Sequence, residues 1–452
     1  MKQLIGSQRK FFNTNTTLDI NFRIDQLKKI ERIFRDNEEE LYKAIYSDFK
    51  KTSYETYTTE LGFFFHEIHT ACRKLKQWSK HRKVRTNLVN FPGKSYIVPV
   101  PLGVVLVIGA WNYPYMLCLV PLVSAIAAGN TVVLKPSEMA PNSSRILAQL
   151  INTNFDPQFC SVVEGGVPET TALLEQKFDK IFFTGSTIVG KLVYQAAAKN
   201  LTPVTLELGG KNPVIITEDC NLKISVKRLI WGKFINTGQT CIAPDFVLIP
   251  RSIKDSFLKL AVSEIENSHF SADNKNYPQI VNDKHMERLI GLIDKTKIHH
   301  GGNYDRENRY IEPTLLTDIS FDDAIMQEEI FGPLLPVIEY DNLDAVFDIL
   351  KSRPKPLTGY IFSDNKRLQK RFIHEIPFGG GAVNEVVMQF VNSNMPFGGI
   401  GESGIGSYHG VKGFKTFTHY KSILKKSTWL EPKLKYYPHT RFKLKLAKRL
   451  LE

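Results

Sequence analysis

Cysteine is scarce in this chain: five in 452 residues (Cys72, Cys118, Cys160, Cys220, Cys241), odd in number and without a repeated spacing. That argues against a disulfide framework and against a zinc site built on paired thiols, and leaves five reduced thiols. The 11 histidines supply no metal motif either. His66-Glu67-Ile68-His69 lacks the i, i+4 histidine pair of a helical zinc site, and His299-His300 are adjacent, so no metal is expected. No apolar run reaches the length of a membrane span, and Met1 to Lys10 holds no signal-peptide core, so the expected compartment is the cytoplasm. A G-x-G-x-x-G fingerprint is also missing. With 42% hydrophobic and 23% charged residues the composition is that of a soluble globular protein, and the length suggests two or three domains.

What the chain has in excess is positive charge, +13 in total. A nucleic-acid partner is the obvious reading of such a balance. The distribution opposes it, because stretches such as Arg73 to Lys83 scatter their cations along helical faces and no nucleic-acid motif accompanies them. No nucleic-acid partner is expected. The second concentration lies in the last 28 residues.

Apolar residues recurring at three and four predict helices over Phe22 to Asp36, Asn37 to Phe49 and Thr59 to Lys83. Residues 84–101 have strand composition broken by prolines, which suits an exposed ribbon. From Gly103 short apolar runs alternate with helical segments. Strands are expected at Val104 to Ile108, Thr131 to Leu134, Cys160 to Val163, Lys180 to Phe183 and Val204 to Leu208. Helices are expected at Met116 to Ala128, Ser143 to Asn154, Pro168 to Lys177 and Thr187 to Asn200. Such alternation predicts a doubly wound parallel sheet, which binds ligands beyond the carboxyl ends of its strands. A second α/β region follows Gly210, with strands near Pro213 to Ile216, Phe246 to Ile249, Pro333 to Ile338, Thr358 to Phe362 and Gly380 to Val383.

The fold class is therefore α/β: a doubly wound dinucleotide-binding domain, a second α/β catalytic domain and a small β bridging element. The expected division is 1–83 with 102–209, then 210–396, then 84–101 with 397–452.

The strand ends carry Trp111-Asn112-Tyr113-Pro114, Lys135-Pro136-Ser137-Glu138, Phe183-Thr184-Gly185-Ser186 and Glu207-Leu208-Gly209-Gly210. Gly185-Ser186 opens a helix, whose N-H groups and dipole suit a pyrophosphate, with Gly190 the next glycine. The polar turn Phe234-Ile-Asn-Thr-Gly-Gln-Thr-Cys241 ends in a lone thiol where backbone N-H groups can favour a nucleophilic thiolate. A lone cysteine is more often a small buried hydrophobe, so the turn alone decides nothing.

Taken together, Ala110-Trp-Asn-Tyr-Pro114, Lys135-Pro-Ser-Glu138, Phe183-Thr-Gly-Ser186, Leu206-Glu-Leu-Gly-Gly210, Phe-x-Asn-x-Gly-Gln-x-Cys241, Glu328-Glu-Ile-Phe-Gly-Pro333 and Pro396-Phe-Gly-Gly399 resemble the aldehyde dehydrogenase superfamily, in order and spacing. Tyr408-His409-Gly410 and the short N-terminus are similar to its class 3 branch. Tyr113, in place of the commoner phenylalanine, and the Lys412-Gly413-Phe414 region depart from the pattern, which bears on pocket shape.

The resemblance implies NAD as cofactor, with NADP accepted, and a homodimer acting on a small-molecule aldehyde. It implies Cys241 as nucleophile, Asn112 as oxyanion donor and Glu207 as the base that hydrolyses the thioester. It also implies Lys135 and Glu138 on the adenine ribose, Glu329 on the nicotinamide ribose with Phe331 near the ring, and Trp111, Gly185, Ser186, Gly190 and Leu208 as further cofactor contacts. Tyr113, Met116 and Leu117 are the pocket candidates, and their character suits an apolar, long-chain or aromatic aldehyde. The plain alternatives are a turn-forming Asn112, a Glu207 satisfied by backbone donors and a solvated Lys135. Two other functions compete: acylation of coenzyme A or phosphate, and a basic binding protein without catalysis. The tail from Lys425 holds nine Lys or Arg against two Glu, interleaved with Trp429, Tyr436, Tyr437 and Phe442. Such a composition can lie on an anionic inner-membrane surface, or its end can pack on the partner subunit.

Overall fold

Val104–Ile108, Thr131–Lys135 and Lys180–Thr184 are buried at every residue, as strands covered on both faces must be. A computed structural model describes residues 1–271 and 276–451; Glu452 of the tail lies outside them. The three strands sit inside a six-stranded sheet in the order Gly404–Ile405, Val204–Glu207, Lys180–Thr184, Val104–Ile108, Thr131–Lys135, Cys160–Val162. All the pairings are parallel except the first. Helix Met116–Ala128 is buried all round and ends at Gly129, whose φ of +93° only glycine adopts readily. It lies so close to the sheet that a Cβ on Gly109 would stand 2.3 Å from Cys118 Sγ. Burial of its Leu119 and Leu122 contributes roughly 1.5–3 kcal/mol each.

The second sheet runs Ile298–His300, Thr314–Leu316, Leu334–Tyr340, Phe246–Pro250, Pro213–Ile216, Thr358–Phe362, Gly380–Val383. Its outer two, Ile298–His300 and Thr314–Leu316, are too short to show a period in the sequence. The exposed ribbon is Arg82–Val84, Gly93–Pro101 and Thr418–Lys426, all antiparallel.

Three boundaries differ from expectation. The third helix ends at Trp78, and the ribbon strand Arg82–Val84 begins two residues earlier than expected, taking Arg82 and Lys83 from the helix. Lys2–Phe12, given no element by its periodicity, is a helix anchored by the buried Gln8, whose amide donates to the Val132 and Pro157 carbonyls at 3.0 Å each. The segment 397–452 divides: Gly404–Ile405 joins the first sheet and helix Gly410–Thr416 packs beside Met116–Ala128, so only Thr418–Lys426 serves the ribbon. No helix among the described residues is long and apolar enough to cross a membrane.

Candidate active site

The turn before Cys241 is held in an unusual backbone. Asn236, Thr237 and Gly238 have successive φ values of 51°, 57° and 73°. For the two non-glycine residues this costs on the order of 1–3 kcal/mol each and persists only when the surroundings enforce it. They do: the Asn236 N-H donates to Glu55 at 2.7 Å, Thr237 Oγ1 donates to the Pro278 carbonyl at 2.5 Å, and Gln239 Oε1 accepts the Val281 N-H at 3.0 Å. Beyond the thiol, Asn212 Nδ2 donates to the carbonyls of Cys241 and Ala243 at 2.8 and 2.9 Å, and the Tyr360 hydroxyl donates to that of Ile242 at 2.7 Å. The nucleophile loop is thus pinned on both sides of Cys241.

Cys241 opens on a cavity of about 690 Å3 that also exposes Glu207, Leu208, Thr184, Tyr113, Met116 and Leu117. The lining is mostly apolar, with Phe63, Trp231, Phe234, Phe390 and Phe397 among it. Glu207 is 2% exposed, and neither of its carboxylate oxygens has a hydrogen-bond partner among the described residues. Burial pushes its pKa well above the ordinary carboxylate range. The alternative of a glutamate satisfied by backbone donors does not hold.

The thiol corrects a second expectation. Backbone N-H groups do point at Cys241, but burial, followed by Glu329 and Glu207, outweighs them and pushes the thiol up, not down. Lowering it requires protons on those carboxyls or a cation brought into the cleft. Cys118 and Cys160, also buried, are pushed up to about 12 by the loss of water alone or chiefly so.

Asn112 is buried and lies across from the nucleophile turn: its Nδ2 donates to the Gln239 carbonyl at 3.0 Å, while Asn236 Nδ2 donates to the Asn112 carbonyl at 3.0 Å. That is a bridge between two loops, more than an isolated turn would require. The Tyr113 hydroxyl meets Thr240 Oγ1 at 2.5 Å, which fixes the ring on the cavity wall.

Beside the cavity, the Phe331 ring stands edge-on to Trp111 at 5.4 Å, and the Glu329 carboxyl lies over Gly209 so closely that a Cβ there would be 2.0 Å from Oε2. Burial, then Asp245, raises the Glu329 carboxyl to about 8. Arg288 distinguishes the two glutamates: it pairs with the exposed Glu328 carboxylate at 3.2 Å but donates only to the backbone carbonyl of Glu329 at 3.4 Å. Lys135 is buried to 1% exposure with Nζ on the Pro136 carbonyl at 2.7 Å and 3.7 Å from Glu138, so it is not a solvated strand-end lysine. Ser186 is the cap of helix Thr187–Ala198. Gly190 is a correction: it is buried, and a Cβ there would meet Leu208 at 2.6 Å, so it serves close packing of helix on strand and offers nothing to a phosphate.

A nicotinamide dinucleotide fits this donor set. The helix start at Ser186, the Lys135 and Glu138 pair, the bare backbone of Gly209 under Glu329, and the Trp111 and Phe331 rings are the residues that would hold it. The positions that motif reading passed over are Thr184, Asn212, Asn236, Gln239 and Thr240. All but Asn212 lie inside the motifs quoted above, where their spacing to the reactive groups was already visible.

The chain matches the model of the aldehyde dehydrogenase family over residues 1–423. It is 47% identical over 436 residues to the 4,4'-diaponeurosporen-aldehyde dehydrogenase of Staphylococcus aureus, covering 95% of each chain. It is 43% identical over 421 residues to the dimeric NADP-preferring aldehyde dehydrogenase of Rattus norvegicus, covering 93% of each. Among solved structures, the substrate-bound state of Staphylococcus aureus AldH superposes with a TM-score of 0.97 at 45% identity, over 100% of this chain and 99% of that one.

Proposed function

The chain belongs to the aldehyde dehydrogenase family, and on that premise we propose that Cys241 is its nucleophile, Asn112 its oxyanion donor and Glu207 its hydrolytic base. It is an oxidoreductase that converts an aldehyde to the carboxylate with NAD or NADP. The relatives favour neither acyl transfer to coenzyme A nor loss of catalysis. The observation that carries the assignment is the single cavity shared by the Cys241 thiol and a Glu207 carboxyl with both oxygens free.

Sγ of Cys241 adds to the aldehyde carbon, and the thiol proton leaves to water or to a carboxyl of the cleft. The oxygen of the resulting thiohemiacetal is met by Asn112 Nδ2 and the Cys241 N-H, donors whose individual loss costs about 3 kcal/mol of barrier where such donors have been removed. A dinucleotide held by Lys135, Glu138, the helix start at Ser186 and Glu329 would supply the hydride acceptor for that carbon. Glu207 then takes a proton from water as the water attacks the thioester, and Sγ departs as thiolate. Burial raises its pKa, which makes the carboxylate a stronger base once its proton has left, and it retains no competing hydrogen bond. Cys241→Ala is expected to abolish turnover and leave dinucleotide binding intact; residual turnover at more than background rate would remove the nucleophile assignment.

A cavity of about 690 Å3 lies within the range of small-molecule sites, and its aromatic, apolar wall supports a long-chain or aromatic aldehyde. The aldehyde in the Staphylococcus relative's name belongs in the panel that tests this. A homodimer is supported by the relative named as dimeric and by the long edge strand Thr418–Lys426, which leaves Tyr420, Ile423 and Leu424 exposed. The tail supports peripheral contact with an anionic membrane. Helix Arg441–Leu451 buries no residue and exposes Phe442, Leu444, Leu446, Leu450 and Leu451 opposite Arg441, Lys445, Lys448 and Arg449. Lys443, the cation that interrupts the apolar face, folds back onto the carbonyls of Tyr436 and Pro438 at 2.7 and 2.9 Å.

A further inference from the structure

Lys51 and Glu60 form an ion pair at 2.8 Å with both side chains at 0% exposure. Neither stands in a motif, and neither is used in the mechanism above. A buried pair of this kind is weak evidence for stability, because taking both charges from water offsets their attraction. Its other contacts say what it is for. Glu60 Oε2 accepts the N-H groups of Tyr115 and Met116 at 2.8 and 3.3 Å. Lys51 Nζ donates to the Asn112 carbonyl at 3.5 Å and lies 4.0 Å above the Tyr113 ring. The pair therefore grips both ends of the short turn Asn112 to Met116, the turn that carries the oxyanion donor.

The same segment reaches the other loop. Glu55, one turn before Glu60, accepts the Asn236 N-H, and Asn236 Nδ2 returns to the Asn112 carbonyl at 3.0 Å. Residues 51–60 thus touch the donor turn and the nucleophile turn at once. Glu60 stands in the π-helical stretch Tyr57–Leu61. Such wider turns recur at functional sites, where one extra residue per turn re-aims a side chain.

We propose that Lys51 and Glu60 are positioning residues that hold Asn112 in register with Cys241, so that the donor is in place before the oxyanion forms. The proposal rests on the assignment of Asn112 above. Positioning of this kind matters because a displacement on the order of 1 Å in a catalytic group can cost about a hundredfold in rate.

Lys51→Met alone would strand a buried carboxylate, so the test replaces the pair with Lys51→Met/Glu60→Gln, in which an amide oxygen still faces the Tyr115 N-H. Two bursts are measured in the full-length enzyme: NADH with aldehyde and NAD, and 4-nitrophenolate from 4-nitrophenyl acetate without dinucleotide, which needs the thiol and the oxyanion donor only. Alkylation of Cys241 by iodoacetamide, which displaces iodide and builds no oxyanion, is the control. Asn112→Ala is expected to slow both bursts by roughly a hundred- to a thousandfold. The paired variant is expected to slow both by about tenfold in the parent, with no further slowing in the Asn112→Ala background and unchanged alkylation. Equal slowing in both backgrounds, slowed alkylation, or no slowing at all would overturn the positioning role. If Asn112→Ala itself leaves both bursts intact, the oxyanion assignment falls, and the positioning role falls with it.

Discussion

Replacing Glu207 by glutamine keeps the shape of the side chain and removes both its charge and its ability to take a proton. The carboxyl stands in the apolar wall of the cavity with no partner for either oxygen, so the substitution breaks no hydrogen bond. Acylation of Cys241 uses other groups, and a full burst of one NADH per site should survive. Deacylation loses its base, which lowers the steady-state rate by about 10²–10⁴. Stopped-flow absorbance of NADH resolves the two phases.

The same substitution has a thermal signature whose sign follows from the raised pKa. The native state keeps the Glu207 proton at pH values where the unfolded chain has lost it. The stabilisation from this group is therefore fully present below about pH 4.3 and declines as pH rises toward the folded pKa, by roughly 1.4 kcal/mol per unit. Glutamine lacks that decline. The Tm of Glu207→Gln relative to the parent should become more positive as pH rises above about 4.3 toward the folded pKa. Equal loss of burst and steady state in a folded variant would refute the hydrolytic role, and a Tm difference that does not change with pH would refute the burial argument.

Gly209→Ala places a Cβ where the Glu329 carboxyl now sits, 2.0 Å from Oε2; dinucleotide affinity, read by quenching of tryptophan fluorescence, should fall at least tenfold with little change in Tm, and unaltered affinity would contradict the cradle. Glu138→Gln removes a carboxylate whose repulsion of a 2'-phosphate is about 1 kcal/mol at 4 Å in water, so kcat/KM with NADP should rise about fivefold relative to NAD. No change in that ratio would place Glu138 away from the ribose. Truncation after Lys426 keeps the ribbon strand and removes the amphipathic helix. Co-sedimentation with phosphatidylglycerol vesicles should be lost on truncation and, in the full chain, at 0.5 M salt on the order of a 4 Å screening length; binding that survives truncation would return the tail to a structural role.

Much of the active site was legible because its residues sit at strand ends, where short apolar runs give way to polar turns. Asn112, Lys135, Glu207 and Cys241 follow strand or helix ends that periodicity locates to within a residue or two, and the family's motifs fix the rest. What escaped is what periodicity cannot carry. Ile298–His300 and Gly404–Ile405 are edge strands of three and two residues, set by pairing with other segments: Leu315 and Leu316 for the first, Leu206 and Glu207 for the second. Gly190 resembles a phosphate glycine in spacing, but its role is decided by Leu208, which stands beyond the end of the next strand, Val204–Glu207. The Lys51–Glu60 pair spans the gap between two expected helices and the start of the second, and a sequence does not show that two opposite charges nine residues apart are both fully buried. The direction of the Cys241 shift escapes sequence reading for the same reason: it depends on how much water the fold excludes, and on carboxyls from a strand end, Glu207, and a distant loop, Glu329.

The central claim, that aldehyde oxidation proceeds through an acyl group on Cys241 which Glu207 releases, is tested most directly by intact-protein and peptide mass spectrometry of Glu207→Gln quenched after one turnover. With aldehyde and NAD the account predicts a gain equal to the aldehyde less two hydrogens, confined to the peptide that carries Cys241. No adduct under conditions that give a full NADH burst, or an adduct on Cys72, Cys118, Cys160 or Cys220 instead, would contradict it.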